Sequence, residues 1–162
     1  MQSSEQSPRV IQLSEHLRQL CAASEHLSHA CAEEQGIYLT DFRALLLIRS
    51  AQRENRTLTA GELATALNLS SGAVTYLVER LTQAGQVMRQ VDPQDRRRVL
   101  LRSTERGLAA ADRFFEPMYA SLSPLSSQID DAQMNRLLQV LNQINENLDQ
   151  NTRRVRAGQG AA

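Results

Sequence analysis

One stretch, residues 70–107, constrains this chain more than any other: SSGAVTYLVERLTQAGQVMRQVDPQDRRRVLLRSTERG. Ser70 or Ser71 can cap a helix whose apolar face is Val74, Leu77, Val78 and Leu81, and Gly85 can stop it. Gln86–Val91 and Val99–Ser103 read as two strands around Asp92-Pro93-Gln94-Asp95-Arg96-Arg97-Arg98. The order is therefore helix, strand, basic hairpin tip, strand. Three adjacent arginines repel each other and gain nothing from folding. A hairpin tip is where they can reach an external anion.

The flanking sequence is helical. Val10, Leu13, Leu17, Leu20, Leu27 and Cys31 recur at steps that fit one face of a long helix, with small Ser24 completing the series. Gly36 ends it. Thr40 or Asp41 can cap a second helix reaching Ser50 through Phe42, Leu45, Leu46 and Ile48. After a polar loop and a short strand at Leu58, Thr59 and Glu62 have capping-box spacing before Leu63, Ala64 and Leu67. Thr104 caps a long helix from Glu105 to about Leu122, which Pro117 is expected to kink or split. After Ser123-Pro124, Asp130 and Asp131 open a last helix with the stripe Met134, Leu137, Leu138, Leu141, Ile144 and Leu148. The expected organisation is a disordered tail at 1–9 and long helices at 10–36 and 105–150. Between them lies a three-helix unit with two strands at 37–104, and a disordered tail follows at 151–162. The fold class is mainly α with a small β-wing.

The chain has no run of about 18 apolar residues, so no transmembrane helix is expected. Its first residues lack the basic and apolar regions of a secretory signal. Two cysteines without a framework point to a reducing, cytoplasmic setting. All 18 cations are arginine. The planar Arg fork can bind phosphate and base edges bidentately. Net formal charge is zero, but it is unevenly spread. Residues 1–51 hold four Arg against six acids, 52–106 hold nine against six, and 107–162 hold five against six. The positive excess coincides with the helix and basic tip, where it would attract phosphate locally.

Together these features point to duplex DNA. The helices Thr40–Ser50, Thr59–Leu67 and Ser71–Ala84 form a helix-turn-helix whose last member suits a major groove about 12 Å wide. Its leading residues, Ser70, Ser71, Gly72, Ala73, Thr75 and Tyr76, are mostly short, so the backbone can approach the bases. Arg80, further along, is expected to meet the DNA backbone. Asp95, Arg96, Arg97 and Arg98 at the tip suit a minor groove, whose negative potential attracts Arg.

The chain resembles the MarR family of bacterial winged helix-turn-helix transcription regulators over about residues 10–148. The residues that carry the resemblance are Leu58-Thr59, Glu62-Leu63-Ala64, Ser71-Gly72, Val74-Thr75, Leu77-Val78 and Asp92-Pro93 with Asp95-Arg96-Arg97. Thr104 and Gly107 match the family's Thr-x-x-Gly. The resemblance implies that Arg97 reaches the minor groove while Asp95 orients it. Three positions depart from the pattern. Gln86 and Ser103 stand where apolar residues are usual, which suggests a less tightly packed wing base, and Tyr76 stands where Arg is common.

The resemblance also implies a repressor acting as a homodimer on a near-palindromic site, with recognition helices about 34 Å apart. The stripes of the first and last helices support pairing independently, with Leu13, Leu17, Leu137, Leu141, Ile144 and Leu148 as interface residues. A small phenol or aromatic acid is the implied effector, and Tyr38, Phe42, Arg43, Phe114 and Tyr119 are the candidate pocket residues. Another branch of the family senses oxidants, which raises Cys21 and Cys31. Ten residues apart on one helix, they lie about 15 Å from each other, beyond disulfide reach. His26 and His29 form a pair without the further ligands that zinc requires, so no metal or cofactor is expected. No nucleophile triad or phosphate loop marks an enzyme. A winged-helix protein-interaction module without DNA binding is the alternative, and the Arg cluster argues against it.

Overall fold

A computed structural model describes residues 7–159. The elements are α1 (Pro8–Glu34), α2 (Leu39–Arg53), β1 (Leu58–Thr59), α3 (Ala60–Leu67), α4 (Ser71–Gln83), β2 (Val87–Val91), β3 (Val99–Ser103), α5 (Glu105–Leu122) and α6 (Asp131–Gln159). A short 3-10 turn, Ser123–Ser127, separates α5 from α6. The chain forms two compact units that divide in sequence after Pro117. No helix among the described residues is long and apolar enough to cross a membrane.

The first unit is a winged helix. Leu45, Ile48, Leu63, Val74, Leu77, Val78, Leu81, Val87, Leu101 and Ala111 form one buried cluster drawn from α2, α3, α4, the sheet and α5. Strand β3 lies between β1 and β2, antiparallel to both. Thr59 and Glu62 make the expected capping box: the Thr59 hydroxyl accepts from Glu62 N at 3.2 Å, and the Glu62 carboxylate accepts from Thr59 N at 2.7 Å. The bonds that Thr59 N and, at 2.8 Å, Thr59 Oγ1 donate to the Glu62 carboxylate hold that carboxyl below its ordinary range.

The wing is pinned at its base by a close approach. A Cβ on Gly107 would lie 2.0 Å from the carbonyl oxygen of Gln86, so only glycine fits there. Thr104 Oγ1 accepts from Gly107 N at 3.1 Å and donates to the Gly85 carbonyl at 2.7 Å. The Thr-x-x-Gly pair thus caps α5 and joins it to the turn before β2 in one arrangement. Gln86 and Ser103 do not loosen this base, contrary to the expectation. Both are buried, and Gln86 Oε1 and Ser103 Oγ have no hydrogen-bond partner among the described residues. The consequence of these polar residues is unsatisfied polarity rather than loose packing.

Other local expectations need correction. Helix α2 starts after Tyr38 without a side-chain cap and runs past Ser50 to Arg53. Asp41 is buried and turned toward Arg80 instead of capping. Helix α1 starts at Pro8, inside the expected tail, with proline in the first turn where its missing N–H costs nothing. Of the two outcomes expected at Pro117, the split does not occur: helix α5 continues through it to Leu122.

The second unit holds the end of α5, the 3-10 turn and α6. Helix α6 extends through Arg153, Arg154 and Arg156 to Gln159, so 151–159 is helical where the sequence suggests a tail. Arg156 in the last turn complements the negative end of the helix dipole. Residues 1–6 and 160–162 of the expected tails lie outside the described residues.

Candidate nucleic-acid interface

Helix α4 presents its first turns to solvent because its apolar positions all turn inward. Val74, Leu77, Val78 and Leu81 are buried, while Ser70, Ser71, Gly72, Ala73, Thr75 and Tyr76 are exposed. Ser70 Oγ accepts from Ala73 N at 3.3 Å and fixes the helix start. The space around Gly72 is open, so the backbone can be approached closely there. The Thr75 hydroxyl donates to the Ser71 carbonyl at 2.8 Å and keeps its lone pairs for an external donor. Tyr76 is 62% exposed.

Two aspartates shape the wing tip. Asp92 Oδ1 accepts from Gln94 N at 2.8 Å, and Asp95 Oδ1 accepts from Arg97 N at 3.0 Å. The loop closes with Arg98 N donating to Asp95 O at 2.9 Å and Asp92 N to Arg98 O at 3.0 Å. Asp95 therefore orders the backbone that carries Arg97. Arg96, Arg97 and Arg98 are exposed. Arg98 lies 3.7 Å from Glu62 at the start of α3. Among the described residues, Arg96 and Arg97 enter no salt bridge.

Between α4 and the wing lies a cleft of about 190 Å³ lined by Ala60, Thr75, Val78, Arg89, Val99 and Leu101. Arg89 pairs in register with Leu101 and stands on the sheet face that turns toward α4. It is absent from the residues that the sequence singles out. Alternation along β2, with Val87, Arg89 and Val91 on one face, is the signal that could have found it.

Arg80 departs from expectation. Rather than pointing outward to a phosphate, its Nε and Nη2 donate to Asp41 Oδ2 and Oδ1 at 2.9 and 2.5 Å. The hydrogen bond to Asp41 raises its already high pKa.

Residues 37–99 match the MarR family profile. The chain belongs to the MarR family. It is 33% identical over 99 residues to the HTH-type transcriptional regulator YcgE of Bacillus subtilis, covering 61% of this chain and 62% of that protein. It is 30% identical over 116 residues to the transcriptional repressor MprA of Escherichia coli, covering 72% of this chain and 65% of that one. The chain therefore spans just under two thirds of the length of these relatives. Two variants of S. aureus MepR superpose on it with TM-scores of 0.68 and, for the one bound to an oligodeoxyribonucleotide, 0.54. Both are 21% identical and cover 84% of this chain and 96–97% of theirs.

The other candidate residues of this MarR-family chain differ in exposure and partners. Phe42 is wholly buried, and Phe114 is buried with its ring edge-on to Phe115, centroids 5.1 Å apart. Neither presents a ring to a ligand in this chain. Arg43 is engaged by Glu25 of α1. Tyr38 is 68% exposed, with the Arg80 guanidinium 4.9 Å from its ring centre. Tyr119 belongs to the second unit and is 47% exposed. Cys21 is exposed and Cys31 buried. Burial raises the Cys31 thiol above its ordinary value, which makes it a poor thiolate. Helix α1 is continuous between the two, so they remain about 15 Å apart.

Proposed function

We propose that this chain is a homodimeric, sequence-specific DNA-binding transcriptional repressor. The observation that carries the reading is the pairing of an exposed, short-side-chain helix start, Ser70–Tyr76, with a wing tip whose Arg96 and Arg97 are exposed. Helix α4 reads base edges in a major groove, and Arg97 enters the neighbouring minor groove. Arg89, in the cleft between them, faces the phosphates that would pass there. The oligonucleotide bound to MepR supports the same use of this fold.

Pairing of two copies is supported by apolar side chains left uncovered. On α1, Val10, Ile11, Leu13 and Leu20 are each about half exposed, and Leu17 is partly so. On α6, Leu137, Leu138 and Leu148 are 45%, 50% and 60% exposed, while Leu141 and Ile144 are partly covered. Apolar stripes of this length on a helix surface call for a partner. A second copy supplies the same stripes in symmetric positions and sets a near-palindromic site. A small aromatic effector would release such a dimer. Of the candidate lining residues in the first unit, Tyr38 is the most exposed and lies against Arg80 of the reading helix.

Selection of bound duplexes from random DNA tests the reading. A symmetric site with half-sites about one turn apart is expected. Recovery of no preferred sequence, with no salt-dependent mobility shift, would leave a protein-interaction module in its place.

A further inference from the structure

Arg80 lies at the centre of a cluster that joins two helices. Its guanidinium meets both carboxylate oxygens of Asp41 in a fork, which fixes the plane of the group as well as its position. The Asp41 side chain is 4% exposed, so the anchor is set within α2 and cannot itself touch a duplex. Against the same guanidinium lie two rings, Tyr38 with its centre at 4.9 Å and Tyr76 at 4.7 Å. Tyr76 and Arg80 are one helical turn apart on α4. The Arg80 side chain is 29% exposed, whereas Tyr76 is 62% exposed on the reading face.

We propose that Arg80 is a positioning residue: clamped by Asp41, it holds the Tyr76 ring in one orientation on the reading face and so sets part of the base preference. The inference rests on the DNA-binding reading above. The fork commits Nε and Nη2 to Asp41, so swinging the guanidinium away to follow a phosphate would strand a carboxylate in the interior. An exposed Tyr on a helix otherwise samples more than one rotamer and must be ordered when it binds. The Asp41–Arg80 fork does that ordering in advance, from a carboxylate buried away from the bases.

The test compares wild type, Asp41→Asn, Arg80→Lys and Tyr76→Ala. Each is passed through selection from random DNA, and its affinity for the selected site is then measured across a salt series. Expected is a loss of preference, on the order of five- to tenfold, at the same base position in all three variants. The salt slopes of Asp41→Asn and Arg80→Lys should match wild type, because no phosphate contact is removed. In a Tyr76→Ala background, Asp41→Asn should add no further change in preference. Arg80→Lys keeps the charge and loses the fork, so it decides the question even where Asp41→Asn fails to fold. A wild-type profile in Arg80→Lys overturns the proposal and leaves DNA binding intact. Arg80→Ala, measured in the same salt series, serves as the control: a slope reduced by about 0.9 per half-site would likewise overturn the proposal and make Arg80 a phosphate contact. A wild-type protein that selects no sequence overturns the DNA-binding reading, and the proposal with it.

Discussion

The body of the first unit and helix α6 of the second solve the burial problem in opposite ways. In the first unit, Leu45, Ile48, Leu63 and Leu77 are at most 2% exposed, and every element from α2 to β3 contributes to one core. In α6, Leu137, Leu138 and Leu148 are each about half exposed. The first region can specify its fold from within the chain. The second carries an equally regular apolar pattern that a single copy leaves unused. Apolar periodicity in sequence therefore announces burial in general, and only the three-dimensional arrangement tells whether the cover comes from the same chain.

The largest expected effect on folding stability lies in the self-sufficient region. Arg49 has a side chain only 3% exposed, ion-paired to Asp112 and stacked 3.9 Å from the Phe115 ring centre. The Asp112 side chain is itself 41% exposed, so Asp112→Ala leaves the buried guanidinium open to water on one side and should cost about 1.5–3 kcal/mol by chemical denaturation. A loss below about 1 kcal/mol would mean that the interior of this unit tolerates an unpaired guanidinium.

The contrasting substitution is Leu141→Glu in α6. It should scarcely disturb the first unit but place a charge in the apolar seam between copies. Sedimentation at micromolar concentration should show monomer or aggregate. Affinity for a two-half-site operator should fall by at least about a hundredfold, since two tethered half-site contacts become one. An intact dimer with wild-type affinity would place the interface elsewhere and blur the distinction between the two regions.

Smaller effects sharpen the picture of the first unit. Thr59→Ala removes half of the capping box and should cost about 1 kcal/mol. Glu62 has its folded-state pKa depressed from 4.5. Its contribution is thus fully present above the unfolded value and is lost as pH falls through the lower folded one. Stability of Glu62→Gln relative to wild type should accordingly converge in acid, and a difference that widens there would reverse the assignment. Gln86→Leu, which removes a buried oxygen without a partner among the described residues, should stabilise by about 1 kcal/mol in thermal melts. A destabilised variant would show that the Gln86 amide is satisfied after all.

Local chemistry is legible in the sequence. The inward face of α4, the limits of β3 and the start of α5 follow from caps, turns and periodicity a few residues apart, and the structure has them where the residues indicate. The links that position the reading face are not legible. Asp41 and Arg80 are 39 residues apart, and Arg49 and Asp112 are 63 apart. No local spacing signals that such residues meet, so Asp41 reads as a cap and Arg80 as a phosphate contact. Phe42 and Phe114 are pocket candidates only through the family resemblance, and the structure buries both in this chain. The Arg-Gly composition at the end of α6 hides its reach to Gln159.

The central claim is that an arginine-tipped wing and the start of α4 hold duplex DNA together. Its most direct test is the salt dependence of operator binding by wild type and Arg97→Ala, both checked to be folded dimers. The account predicts weaker binding in the variant and a log–log slope smaller by about 0.9 for each half-site that Arg97 no longer holds. Equal affinity and equal slope would contradict it and reduce the tip to a solvated turn.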